Sequence, residues 1–217
     1  MNQTDKIFVG SLKRGELGEE VFLSSFAGMK KVKKVYDARS SAKYQAMDID
    51  FVIDVMPKSM LSTLAGATRV AVELKTDFTG YQNIYYESYS CYEMRTAGCM
   101  EKTNSDVLIY YYMRQGVFYV LKTDTFRDWV HEHSEDFIKN FKEERGRFGI
   151  YHKEGLLIPT SSIDAAFKSG KISGKKVQVS DAFSTKRVAT LDKCQYRKIE
   201  VLHDKRQVRN IFDAMDS

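Results

Sequence analysis

The sequence predicts an α/β protein with a mixed central β-sheet flanked by helices, and three stretches carry that reading. "DIDFVIDV" (48–55) alternates strictly, with Ile49, Phe51, Ile53 and Val55 on one side and Asp48, Asp50, Val52 and Asp54 on the other, which is the period of a strand. "RVAVELKTDF" (69–78) repeats the pattern, with Val70, Val72 and Leu74 opposite Ala71, Glu73 and Lys75. "TDTFRDWVHEHSEDFIKNFKEE" (123–144) reads instead as an amphipathic helix with Thr123 or Thr125 as N-cap. With 217 residues, 43% hydrophobic and 29% charged, the chain suits one large globular domain or one domain with a small appendage.

The elements follow in order. "GELGEEVFLSSFAG" reads as a first helix whose Glu19, Phe22 and Phe26 share a stripe, while Glu20 lies about 100° round from it. "KKVKKVYDARS" is a strand with a basic edge, and "PKSMLSTLAGAT" connects the two alternating strands with a helical turn. "NIYYESYSCYE" (83–93) is β-branched and aromatic, as a strand should be. "DVLIYYYMR" and "VFYVLK" bracket Gln115-Gly116, a hairpin signal. Beyond Gly149 a strand, a turn at Pro159 and a helix from Ser161 or Ser162 are expected, followed by short strand-like runs and a final helix. The resulting division is a core over 1–150 and a basic C-terminal extension over 151–217 packing on it.

Charge is unevenly placed. Residues 151–217 contain 13 Lys+Arg and 8 Asp+Glu, so the entire net charge of +5 resides there, which suits a polyanion such as nucleic acid. No apolar run reaches the roughly 18 residues of a membrane span. The N-terminus has no apolar leader pattern, and the three cysteines have no CxxC spacing, so reduced thiols and a cytoplasmic location are expected. His131 and His133 stand two apart in a helical pattern and point in different directions, which argues against a histidine metal site.

Charged side chains rarely point into a core unless they are paired or functional. Glu73 and Lys75 share a face of an apolar strand, and Asp50 lies on the polar face of the strand before it. If the two strands are antiparallel neighbours, both carboxylates and the ammonium converge. Two close carboxylates repel unless neutralised, and oxygen ligands select a hard cation such as Mg²⁺ or Mn²⁺. In this reading Glu73 and Lys75 address a metal and a phosphate rather than each other.

The arrangement Asp50…Glu73-Leu74-Lys75 resembles the signature of the PD-(D/E)XK nuclease superfamily, whose core is the restriction-endonuclease-like fold. The resemblance spans residues 12–122, and the longer run from "YQAMDIDFVI" to "GLLIP" looks like phage-type and Holliday-junction-resolvase-like nucleases. It implies Mg²⁺- or Mn²⁺-dependent hydrolysis of DNA leaving 5′-phosphate and 3′-hydroxyl ends. Asp50 and Glu73 would ligate the metal, Lys75 would orient or activate water, and a glutamate of the first helix, Glu19 or else Glu20, would help hold the metal. Ile49 stands where the family name has Pro, which leaves Asp48 as a second candidate, although the resemblance favours Asp50. No glutamine-bearing helix follows Lys75, so Asn83 and Glu87 complete the list. Two other functions compete: a resolvase or recombination accessory acting on branched DNA as a homodimer, and a non-catalytic nucleic-acid-binding protein that keeps the fold.

Overall fold

The computed structural model describes residues 15–16, 18–19, 22–23, 30–146 and 149–178. Glu20, Phe26 and residues 179–217 lie outside the described residues, and with them the expected final helix. The architecture is mixed α/β: two sheets with short helices at their edges and faces.

Among the described residues the larger sheet has six strands. In chain order they are β1 (Val32–Asp37), β2 (Phe51–Val55), β3 (Arg69–Asp77), β6 (Val107–Tyr112), β7 (Val117–Lys122) and β10 (Gly174–Gln178), which is also their spatial order. All neighbours are antiparallel except β3 and β6, which run parallel. Parallel strands need a long crossover. Here the crossover carries β4 (Asn83–Cys91), β5 (Thr96–Ala97) and the short helix Cys99–Lys102. β4 and β5 belong to the second, antiparallel sheet, ordered β5-β4-β9-β8, with β8 over Ile138–Gly146 and β9 over Gly149–Pro159.

Both faces of the larger sheet are covered. One carries Phe51, Ile53, Val70, Val72, Leu74, Ile109 and Val120 beneath Phe22 and Leu61. The other packs Leu108, Tyr110, Tyr119 and Leu121 against Ile84, Tyr86, Leu156 and Ile158 of the second sheet. Every residue of β6 is buried, which is why "VLIYYY" is apolar without alternation. Helices Thr123–Glu132 and Thr160–Lys168 add Phe126, Trp129, Val130 and Ile163 to this second core. Residue 150 falls inside β9, and residues 151–178 supply strands to both sheets. Among the described residues no helix is long and apolar enough to cross a membrane.

Several expectations are corrected. The 48–55 alternation does not run its full length. The strand begins at Phe51, and Asp48 sits at φ +46° in the turn after the helix Ala42–Gln45. Ile49 therefore joins Ala38 and Val52 in a separate small cluster instead of lying with Phe51 and Ile53. The helix expected over 123–144 ends at Glu132, and "IKNFKEERG" is strand β8. His133 closes the helix, with its N–H and its Nδ1 both turned to the Trp129 carbonyl. Lys122, not a threonine, holds the N-cap position, and the Thr125 hydroxyl donates to the Lys122 carbonyl at 3.2 Å. The tyrosine-rich stretch expected as a strand is one, over 83–91, and it belongs to the second sheet.

Candidate active site

Strands β2 and β3 pair antiparallel, with Phe51 opposite Val72. Asp50 stands one residue before β2, where the backbone ladder stops. Its N–H still donates to the Val72 carbonyl at 3.0 Å, and its carboxylate Oδ2 accepts the Leu74 N–H at 2.9 Å. The side chain thus continues the ladder that the backbone has left, and that bond anchors the carboxylate to the β3 backbone at Leu74, the residue between Glu73 and Lys75 in sequence.

Glu73 points to the side of β3 away from Val72 and Leu74, as the alternation requires, yet it is only 3% exposed. Its Oε1 lies 2.6 Å from Lys75 Nζ, so the two residues form an ion pair as well as sharing a face. Its Oε2 is buried with no hydrogen-bond partner. Burial pushes the Glu73 carboxyl up to about 8; Lys75 pulls it down, and the Asp50 carboxylate beside it pushes it up again. Burial opposes the charge on Lys75, but Cys99, Glu73 and Asp50 outweigh it and hold the ammonium well above its ordinary value. The Cys99 thiol is raised to about 11 by burial, with the Lys75 charge acting against that.

Lys75 opens onto a cleft of about 630 Å³ between the end of β3 and the second sheet. Its walls include Tyr85, Glu87, Cys99, Tyr110, Arg114, Lys142 and Lys153. Lys142 and Lys153 stand directly opposite each other across β8 and β9. Like charges in that position are destabilising on their own. Glu87 compensates one of them, 3.3 Å from Lys153, and Lys142 lies 3.7 Å over the Tyr85 ring. Burial, then Lys153, depresses the Lys142 pKa. A pair of cations facing a cleft at this cost suits an anionic ligand.

The remaining candidates are placed as follows. Glu19 pairs with Arg39, which also binds Asp37 and lies over the Phe51 ring, so Glu19 is held near the start of β2 by a cation of its own. Asp48 is engaged by Lys102 at 3.3 Å and does not share a face with Asp50. Glu87 lines the cleft and also accepts the Cys99 N–H at 3.3 Å. Asn83 begins β4 opposite Pro159 and is not part of the cleft wall. Sequence reasoning missed Lys142, Lys153, Arg114, Tyr85 and Cys99. Reading 123–144 as one helix concealed Lys142, and Lys153, in a stretch expected to be strand, had no partner strand to set it against until β8 was seen.

Among the described residues no group of three or more His, Cys, Asp and Glu side chains is assembled as a metal site. Asp50 and Glu73 nevertheless suit Mg²⁺, which is commonly held by one or two carboxylates and completes its shell with water. The orphaned Glu73 Oε2 is the atom that such a cation would satisfy. No protein-family model matches the chain, and no curated protein or solved structure does so either.

Proposed function

We propose that this protein is a metal-dependent nuclease that hydrolyses DNA phosphodiesters at Asp50, Glu73 and Lys75, on a core of the restriction-endonuclease-like type. One observation carries the reading: the buried Glu73 carboxyl, whose Oε2 meets no hydrogen-bond donor, stands beside Asp50 and Lys75, and Lys75 opens onto a cleft that Lys142 and Lys153 also line. An ordinary solvated strand face would not bury Glu73.

Asp50 and Glu73 would hold Mg²⁺ or Mn²⁺, and the cation would supply Lewis-acid neutralisation of charge at the phosphate. Lys75 keeps its proton at Nζ and presents it to a phosphate oxygen or to the attacking water. Lys142, Lys153 and Arg114 offset the charge of the flanking phosphates. Glu19 orients Arg39 and through it the start of β2.

The test is cleavage of plasmid, linear duplex, single-stranded and four-way-junction DNA in Mg²⁺ or Mn²⁺. The wild type is expected to cleave at least one of these, and Glu73→Gln and Lys75→Ala to lose cleavage while keeping the wild-type circular dichroism spectrum. Undiminished cleavage by Glu73→Gln overturns the assignment. DNA binding with no turnover in either cation overturns the enzymatic reading in favour of a binding protein.

A further inference from the structure

Among the described residues β8 has a neighbour, β9, on one side only. It is a nine-residue edge that exposes Ile138 (69%) and Phe141 (54%). Long, apolar, uncovered edges invite pairing with another chain unless the sequence guards them. The charges on this one do not simply guard it, because "KNFKEE" (139–144) places lysines before glutamates and so can complement itself in reverse.

We infer that β8 pairs antiparallel with β8 of a second copy of this chain, in the register that sets Phe141 opposite Phe141. Symmetry and charge select that register. Hydrogen-bonded and non-hydrogen-bonded pairs alternate along antiparallel strands, so a two-fold axis through the pairing must place some residue opposite its own mate. Centring on Lys139, Lys142 or Glu143 sets like charges face to face. Centring on Asn140 pairs no opposite charges. Centring on Phe141 puts Lys139 of each copy against Glu143 of the other, twice, on the face where the two Phe141 rings meet. Tyr92 already packs edge-on against Phe141, with ring centroids 5.4 Å apart, and extends that apolar patch.

The two four-stranded sheets then form one continuous sheet of eight strands. The axis is perpendicular to this sheet, so corresponding faces of the copies look the same way. Lys142, which lines the cleft, belongs to the alternate face of β8 and stands beside Asn140 of the other copy. Both clefts therefore open on one side of the dimer, an arrangement suited to a ligand with two equivalent strands.

The test is molar mass by size-exclusion chromatography with light scattering on the full chain, which does not depend on any cleavage activity. The wild type is expected to be a dimer at micromolar concentration. Lys139→Glu and Glu143→Lys each place like charges in both symmetric pairs and should weaken association about tenfold or more. Both side chains are exposed, so the fold should be unaffected, and circular dichroism checks this. Mixing the two variants restores opposite charges at every pair, so an equimolar mixture should recover the dimer. Phe141→Asp, which sets two acids face to face, should be monomeric. A wild-type monomer, single variants as dimeric as the wild type, or a mixture that stays monomeric overturns the proposal.

Discussion

Glu73 ties the chemistry of this molecule to its stability. Its carboxyl titrates near 4.5 in the unfolded chain and about 8 when folded. A folded-state pKa above the unfolded one means that the contribution to stability is full below about pH 4.5 and is lost as pH rises through about 8. Thermal melts across that window should show wild-type stability falling relative to Glu73→Gln, whose amide does not titrate. Parallel curves would show that Glu73 is not held in this environment. Mg²⁺ at pH 8 should raise the melting temperature of the wild type and leave Glu73→Gln unmoved, since only binding to the folded state stabilises it. The shared face of Glu73 and Lys75 could be read from alternation alone. Their pairing at 2.6 Å could not, because periodicity gives a side and not a rotamer. Asp48 and Asp50 were inseparable by the same logic until the turn at Asp48 broke the alternation.

At the scale of elements, the end of β3 forms much of the cleft wall, the hairpin β8–β9 adds two lysines to it, and the first helical stretch packs against β3. Lys142 and Lys153 face each other on that hairpin. Lys142→Ala and Lys153→Ala should each weaken DNA binding and lower the slope of log affinity against log salt by about one. Fluorescence-anisotropy titrations over a salt series check this, and an unchanged slope would remove both lysines from the interface. Gly18 permits the other approach. A Cβ there would overlap the Thr76 side chain on β3, so the helical backbone sits against the strand only because the residue is glycine. Gly18→Val should cost roughly 1–3 kcal/mol in urea denaturation by forcing the two apart. The elements that sequence reasoning misjudged share a cause. "FIKNFKEE" satisfies both a helical and an alternating pattern, and hydrogen bonding to β9 decides between them.

At the scale of the whole molecule, the two sheets share one core. Ile158 of β9 is fully buried between them, with Tyr86, Leu108 and Leu121 in the same cluster. Ile158→Ala should therefore cost about 2–5 kcal/mol. Because Trp129, the only tryptophan, belongs to the same cluster, its fluorescence and the far-UV circular dichroism should report one coincident transition. Separate transitions would mean that the sheets fold independently. The sequence by itself determined the strands with regular alternation, the faces of β3 and the residue types at its charged end, since those depend only on neighbours along the chain. Only the tertiary structure decided that the tyrosine-rich strand leaves the central sheet, that Asp50 rather than Asp48 reaches Glu73, and that Lys142 and Lys153 close the cleft. Each of these depends on which distant segment supplies a strand's hydrogen-bond partners, and local periodicity carries no record of that choice.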